Sequence, residues 1–261
     1  MSDQTDLQLA LIQTRLIWQD PAANRAQFEL LLEQARGADL VVLPEMFSTG
    51  FSMQSAELAE PENGPTSRWL SEQARRIGAV ITGSLIIQAA DGSYRNRLLW
   101  VRQDGSQAFY DKRHLFRMAG EHKHYAAGSE QVVLELNGWR VRPLVCYDLR
   151  FPVWSRDAGG TDLLLYTANW PDARRQHWNR LLPARAIENL CYVAAVNRIG
   201  EDGKGFAYSG DSQVLDFQGD SLLSAGAEPG VFRVTLNGAE LAAYRERFPA
   251  HLDADQFVLQ N

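Results

Sequence analysis

A cysteine lies at the break between a predicted strand and a predicted helix. Residues 139–157, WRVRPLVCYDLRFPVWSRD, begin with an apolar pattern suited to a buried strand. The strand breaks at Cys146, and Phe151-Pro152 then favours a helix start, because proline is tolerated in a first helical turn. Backbone N–H groups at such a turn can lower a thiol pKa and stabilise an oxyanion. We therefore interpret Cys146 as a nucleophile and the Tyr147 N–H as an oxyanion donor.

A glutamate and a lysine at other strand ends could assist this thiol. Pro44-Glu45 directly follows the near-continuous hydrophobic run 39–43, and active sites of open α/β sheets lie at the carboxyl ends of the strands. Lys112 lies in residues 110–128, a polar and aromatic segment without a clear period, and long segments of that kind are often functional. Amide cleavage by a cysteine needs the thiolate, but an unperturbed thiol has a pKa of about 8.5. A nearby base must therefore take the thiol proton, and a nearby cation must favour the thiolate. Glu45 suits the base and Lys112 the cation.

The apolar pattern predicts an α/β fold with mixed sheets. Strands are expected at 7–13, 39–43, 79–88, 96–102, 162–166, 192–197, 212–216 and 231–236, and helices at 21–36, 65–77, 173–190 and 237–248. The strand–helix–strand order at the start implies parallel pairing with a right-handed crossover. Asp91-Gly92 marks a hairpin turn, so the next strands must be antiparallel. Pro183 is expected to kink its helix. Without a repeat or linker, we expect one domain over residues 1–261.

Composition narrows the function classes. The chain has 261 residues, 45% hydrophobic and 22% charged, with a formal net charge of −6, which does not suit nucleic-acid binding. Two cysteines are too few for a disulfide scaffold and lack zinc-type spacing. The sequence shows neither a basic leader with an apolar core nor an apolar run of membrane-spanning length. We expect a soluble cytoplasmic protein that has no nucleic-acid or membrane partner.

Histidines offer a rival base for the thiol. Cysteine–histidine pairing is the commoner nucleophile design, so His114 or His177 could approach Cys146 in space. His122 and His124 could suggest a metal, but two ligands without a third of matching spacing make a poor site. We expect no metal and no cofactor. Cys146, Glu45 and Lys112 each also have a non-catalytic interpretation, since most cysteines are core residues and most glutamates and lysines are solvated.

Three motifs taken together resemble the nitrilase, or carbon–nitrogen hydrolase, superfamily. They are the glutamate in LVVLPEMF, the lysine in YDKRHLF and the cysteine in LVCYDLRFP, and the likeness extends from LALIQ to VFRV. The resemblance implies an αββα sandwich that forms a four-layered homodimer. It also implies a Glu45–Lys112–Cys146 triad that acts through a cysteine thioester. Glu121, before HKHYAAG, matches the second glutamate, whose implied roles are to hold Lys112 and help position the substrate.

CYDLRFP followed by ARAIEN looks most like the ω-amidase branch, whose members hydrolyse the terminal amide of 2-oxoglutaramate and 2-oxosuccinamate. Such a substrate needs a cation for its carboxylate, and the arginine fork pairs both oxygens. The candidates are Arg150, Arg174 and Arg175, with Phe116 and Trp170 as pocket walls. Two alternatives stay open. One is the same fold acting on a nitrile, an N-carbamoyl compound or a generic amide, and the other is a non-catalytic binding protein.

Overall fold

The computed structural model describes residues 5–157 and 160–259, which form two mixed β-sheets packed face to face and a separate small hairpin. The strands are β1 (Leu7–Gln13), β2 (Leu40–Val42), β3 (Glu60–Pro61), β4 (Val80–Gln88), β5 (Tyr94–Val101), β6 (Gln107–Asp111), β7 (Leu134–Leu136), β8 (Trp139–Val145), β9 (Leu163–Ala168), β10 (Tyr192–Asn197), β11 (Ile199–Glu201), β12 (Ala207–Ser209), β13 (Gln213–Leu215), β14 (Ser221–Ser224) and β15 (Gly230–Leu236). The α-helices are α1 (Pro21–Gln34), α2 (Ser55–Leu58), α3 (Pro65–Ile77), α4 (Pro152–Ser155), α5 (Arg175–Asn189) and α6 (Gly238–Arg247).

Each sheet combines parallel and antiparallel strands. The first has the order β15-β1-β2-β4-β5-β6, with β3 beside β4, and the second has the order β14-β13-β10-β9-β8-β7. The predicted parallel pairing of β1 with β2 is confirmed, as is the antiparallel pairing of β4 with β5 across Asp91-Gly92. Strands β11 and β12 pair with each other as a two-stranded hairpin, and Ile199 of β11 also forms an isolated bridge with Arg15. The predicted α/β class with mixed sheets is therefore confirmed.

Strand β1 shows why the layers form. Leu7, Leu9 and Leu11 pack in the core between the two sheets, whereas Ala10 and Ile12 pack in the core beneath α1 and α3. Full burial of an aliphatic side chain contributes roughly 1.5–3 kcal/mol, and a shift of one residue would exchange the two faces, so the register is strongly specified. Helix α5 packs on β10 and β13 of the second sheet. The layers thus run helix, sheet, sheet, helix.

The structure departs from the sequence prediction mainly in short elements. Strands β3, β7, β11, β12 and β14 and helix α2 are not predicted by the sequence, because two to four residues carry too little periodicity. The segment 110–128 is not structureless, since it begins in β6 and contains 3-10 turns at Arg117–Ala119 and Glu121–Lys123. The predicted helix 173–190 begins with a separate 3-10 turn, Asp172–Arg174, and α5 then continues through Pro183.

The sequence predicts a single domain over residues 1–261, and this stays a prediction. Residues 1–4, 158–159 and 260–261 lie outside the described residues. Across residues 5–157 and 160–259, no helix is both long enough and apolar enough to cross a bilayer.

Candidate active site

Cys146 lies at the carboxyl end of β8, where the chain turns sharply. Its φ is +47°, a left-handed conformation that costs a residue with a side chain roughly 1–2 kcal/mol. A 3-10 turn, Cys146–Arg150, follows directly, and α4 begins at Pro152. The predicted break and the helix start at the proline are confirmed. The turn leaves Cys146 only 8% exposed, at the buried end of a cavity.

One lysine joins two glutamates beside this turn. The Lys112 Nζ lies 2.8 Å from Glu45 Oε1 and 3.0 Å from each Glu121 oxygen. All three side chains are almost completely buried. Burial alone would lower the pKa of Lys112, but the charges of Glu121 and Glu45 outweigh it and raise that pKa well above its ordinary value. Lys112 is therefore a permanent cation in this site.

Two asparagines fix the Glu45 carboxylate. The Asn96 side chain donates to Glu45 Oε1 at 2.8 Å, and the Asn169 backbone N–H donates to Oε2 at 2.9 Å. The Asn169 side-chain amide also donates to the Glu45 carbonyl oxygen. Sequence reasoning missed both asparagines. Their signal was a polar residue within the strand-forming run NRLLWVR and another just after the buried strand DLLLY.

The thiol of Cys146 shares this polar cluster. The Glu45 carboxylate, the Lys112 ammonium and the Asn169 N–H all lie close enough to affect the pKa of this thiol. Burial raises the pKa of Cys146, and the negative charge of Glu45 raises it further, while Lys112 opposes both. The expectation that the turn would lower this pKa is wrong, because burial and a carboxylate outweigh the lysine and the N–H group. The resting group is a thiol next to a base.

Glu121 connects Lys112 to the Phe116 backbone and to Asn96. Its Oε2 accepts a hydrogen bond from the Phe116 N–H at 2.5 Å, and its Oε1 accepts one from Asn96 at 3.2 Å. Burial raises the pKa of Glu121 and Lys112 opposes that effect, while the nearby Glu45 charge adds to it. Since its oxygens are occupied by Lys112, Phe116 and Asn96, Glu121 is placed to hold Lys112.

A cavity of about 290 Å³ opens above Cys146 and Lys112. It carries apolar and aromatic walls and several charged groups. The walls are Phe51, Phe116, Met118, Ala119, Tyr147, Trp170, Pro171, Ala173, Phe206 and Tyr208, and the further polar residues are Arg150, Asn169, Arg174, Asp202 and Lys204. Lys204 and Phe206 are solvent-exposed, so the cavity runs from the buried thiol to the surface. Its shape suits a small molecule with a polar far end.

Two of the three candidate arginines line this cavity. The Arg150 guanidinium lies 5.3 Å from the Trp170 ring centroid, and that of Arg174 lies 5.0 Å from the Phe116 ring centroid. Arg175 does not line the cavity, because it pairs with Asp211 at 2.9 Å. That candidate was wrong for the substrate pocket.

The hairpin of β11 and β12 contributes a cation that sequence reasoning missed. Lys204 lies in its connecting turn, where Asp202 accepts hydrogen bonds from the Lys204 and Phe206 N–H groups. The Tyr208 hydroxyl also donates to Asp202, so this carboxylate is occupied within its own hairpin. The turn sequence EDGKGF gave no sign of a pocket, because it reads as an ordinary solvated turn.

The two histidines considered as alternative bases have other partners. The His114 Nδ1 lies 2.8 Å from Asp148 Oδ1, and its ring stacks on Phe151 at 3.8 Å. The His177 Nδ1 lies 3.0 Å from the Arg150 guanidinium. Neither of these imidazole contacts involves Cys146, whereas the Glu45 carboxylate lies near its thiol, which weakens the cysteine–histidine alternative. Over the described parts of the chain, no group of three or more His, Cys, Asp or Glu side chains is arranged to hold a metal ion.

Comparison with known proteins agrees with this geometry. The carbon-nitrogen hydrolase family model matches residues 8–246. The sequence is 52% identical to the omega-amidase YafV of Yersinia enterocolitica, over 97% of this chain and 98% of that relative. It is 33% identical to the 2-oxoglutaramate amidase of Bacillus subtilis, over 94% of this chain and 96% of that relative.

A solved structure shares the whole fold. XC1258 from Xanthomonas campestris, a CN-hydrolase superfamily protein with an arsenic adduct in its active site, superposes with a TM-score of 0.95. The two sequences are 49% identical over 98% of this chain and 99% of that chain. The resemblance inferred from the motifs is confirmed. This chain therefore belongs to the carbon–nitrogen hydrolase family.

Proposed function

We propose that this protein is an ω-amidase, which hydrolyses the terminal amide of small 2-oxo acid amides such as 2-oxoglutaramate and 2-oxosuccinamate. The observation that carries the proposal is the meeting of the Cys146 thiol, the Glu45 carboxylate and the Lys112 ammonium at the buried end of a cavity with arginines along its wall. Relatives named omega-amidase and 2-oxoglutaramate amidase support the choice of substrate.

The first half of the reaction forms a thioester. The Cys146 sulfur attacks the amide carbon while its proton passes to Glu45, which avoids the need for a preformed thiolate. The carbonyl oxygen becomes an oxyanion, which the Lys112 ammonium and the Tyr147 N–H stabilise, each such donor contributing about 10²–10³-fold in rate. The protonated Glu45 then gives its proton to the departing nitrogen, the C–N bond breaks, and ammonia leaves.

The second half releases the acid. Glu45, again a carboxylate, takes a proton from a water molecule as the water oxygen attacks the thioester carbon. The tetrahedral oxyanion collapses, the C–S bond breaks, and the sulfur recovers the proton from Glu45. Each proton that leaves Glu45 is replaced within the cycle, so the residues return to their starting states. Glu121 takes part by holding Lys112 beside the sulfur.

The substrate's carboxylate would bind at the outer part of the cavity. Arg150, Arg174 and Lys204 bring positive charge there, while Asp202 is occupied by donors of its own hairpin. A planar guanidinium pairs both carboxylate oxygens, which favours Arg150 or Arg174 as the main partner. Phe116 and Trp170 would then limit the length of the acyl chain between this group and Cys146.

Further parts of the proposal concern assembly and setting. We infer a homodimer, as the family resemblance implies, and sedimentation should give twice the chain mass of 29.3 kDa. The two cysteines are both free, which agrees with a reducing, cytoplasmic setting. The proposed reaction uses only groups of the protein chain and water, so treatment with a chelator should leave turnover unchanged.

A substrate panel tests the proposal. Ammonia release is measured with 2-oxoglutaramate, 2-oxosuccinamate, an aliphatic nitrile and an N-carbamoyl compound, with the Cys146→Ser variant as a blank. We expect the two 2-oxo acid amides to give the highest kcat/KM. A preference for the nitrile or the N-carbamoyl compound would assign a different branch of the family, and turnover retained in Cys146→Ser would end the thioester mechanism.

A further inference from the structure

Asp148 is a completely buried carboxylate with four hydrogen-bond donors. Its Oδ1 accepts from the His114 backbone N–H at 3.0 Å and contacts the His114 ring Nδ1 at 2.8 Å. Its Oδ2 accepts from the Tyr110 hydroxyl at 2.8 Å and from the Val145 N–H at 2.9 Å. A carboxylate offers about four acceptor sites, so no capacity remains for a substrate.

These donors come from both sides of the proposed catalytic cluster. Tyr110 and His114 lie two residues before and two residues after Lys112, so Asp148 anchors the segment that carries the lysine. Val145 directly precedes Cys146, and its N–H donates a hydrogen bond to Asp148. This bond spans Cys146, which has the left-handed backbone conformation. One side chain thus joins the lysine segment to the nucleophile turn.

The surroundings keep this junction rigid. The Trp154 ring N–H donates to the Tyr110 hydroxyl at 2.9 Å, which leaves that hydroxyl's own proton for Asp148. Burial raises the pKa of Tyr110 and the neighbouring Asp148 charge adds to the effect, so the phenol remains a donor. On the other side, the Phe151 ring stacks on His114 with an interplanar angle of 10°.

We infer that Asp148 is a positioning residue that sets the distance between the Lys112 ammonium and the Cys146 sulfur through Tyr110, His114 and Val145. The inference rests on the proposed role of Cys146 as nucleophile. Lys112 must meet charge that develops at the reacting carbon, and a misplacement of about 1 Å can cost about 10²-fold in rate. Substrate binding depends on other residues, so loosening this junction should lower kcat and leave KM nearly unchanged.

The Tyr110→Phe variant tests this with a matched control. It removes one hydrogen bond to Asp148 and keeps the ring that packs in the core between the sheets. The control is Tyr166→Phe, since Tyr166 is an equally buried tyrosine whose hydroxyl donates to Ser155 at 3.1 Å, outside the Asp148 cluster. Tyr110→Phe also removes the hydrogen bonds that this hydroxyl accepts from Trp154 and from the Arg113 N–H, so it should lose more stability than the control. The kcat values are therefore measured well below both melting temperatures, where the difference in stability does not affect the comparison.

For Tyr110→Phe we expect kcat to fall about tenfold with KM within about twofold of the parent value. Tyr166→Phe should show a smaller drop in melting temperature and an unchanged kcat. Asp148→Asn should lower kcat further, because the amide NH₂ group would face one of the hydrogen-bond donors that now point at the carboxylate. If Asp148→Asn does not fold, the comparison of Tyr110→Phe with Tyr166→Phe still tests the inference.

The inference is overturned if Tyr110→Phe keeps the parent kcat, or if both tyrosine variants lose kcat equally. It is also overturned if the loss appears in KM alone. All variants are compared on whichever substrate of the panel the parent protein turns over best, so a wrong choice of acyl group would change the substrate and not this comparison.

Discussion

The Lys112 ammonium lies 2.8 Å from Glu45 and 3.0 Å from Glu121, so one buried cation serves two buried carboxylates. With both carboxyl groups ionised, the cluster holds one negative charge more than it holds positive charge. In the proposed reaction the Cys146 proton passes to Glu45. After the transfer, Lys112 still faces one carboxylate and now also a thiolate, so the charge of the cluster is unchanged. The proton moves without creating an extra buried charge, which would be costly.

Replacing the nucleophile should abolish turnover while leaving the fold intact. We expect Cys146→Ala to lower kcat by about 10³-fold or more. The matched control is Cys191→Ala, since burial raises the pKa of Cys191 to about 12 and keeps this second thiol inert. Ammonia release measures both variants, and mass spectrometry after rapid quenching should detect an acyl adduct only where Cys146 is present. An adduct on Cys191 would contradict the assignment.

Removing the cation should cost stability as well as activity. Lys112→Met leaves Glu45 and Glu121 buried without their shared partner, which is expected to cost about 3–5 kcal/mol of unfolding free energy. The rate should fall by at least about 10²-fold through the lost oxyanion partner. Adding Glu121→Gln removes one uncompensated charge, so part of the stability should return in urea unfolding. Activity that returned together with the stability would show that Lys112 is structural.

Neutralising the base should separate the titration of the thiol from its chemistry. Because the Glu45 charge raises the pKa of Cys146, Glu45→Gln should lower that pKa while turnover is lost. The pH profile of Cys146 alkylation by iodoacetamide, followed by mass spectrometry in a Cys191→Ala background, should therefore move to lower pH. A profile that stayed in place or moved to higher pH would mean that Glu45 does not contact the thiol in solution.

Two adjacent arginines should behave differently. Arg174 lines the cavity and Arg175 pairs with Asp211 away from it, so Arg175→Met is a matched control for Arg174→Met. Loss of a charged hydrogen bond to a carboxylate is worth about 1.5–3 kcal/mol, so KM for a 2-oxo acid amide should rise about 10- to 100-fold in Arg174→Met alone. A neutral amide of the same length should show no such difference. Equal effects in the two variants would exclude Arg174 as the carboxylate partner.

Local pattern was enough to predict the framework of this protein. The buried strands and the crossover from β1 to β2 follow from apolar runs and turn residues, which depend on near neighbours in the chain. The motifs around Glu45, Lys112 and Cys146 identified the family, because each lies at or just after a strand end. The short strands of the β11–β12 hairpin have too few residues to show a period. Because the hairpin was not predicted, Lys204 in its turn was not recognised as a residue of the cavity.

Only the tertiary structure decided which groups contact one another in the site. The Asn169 N–H that fixes Glu45 lies 124 positions further along the chain, and no local pattern encodes that contact. The choice between Arg174 and Arg175 was equally hidden, because consecutive side chains on a helical turn point in different directions and only packing shows which one meets the cavity. The raised pKa of Cys146 depends on its burial and on a carboxylate from the turn after β2, and both exist only once the chain has folded.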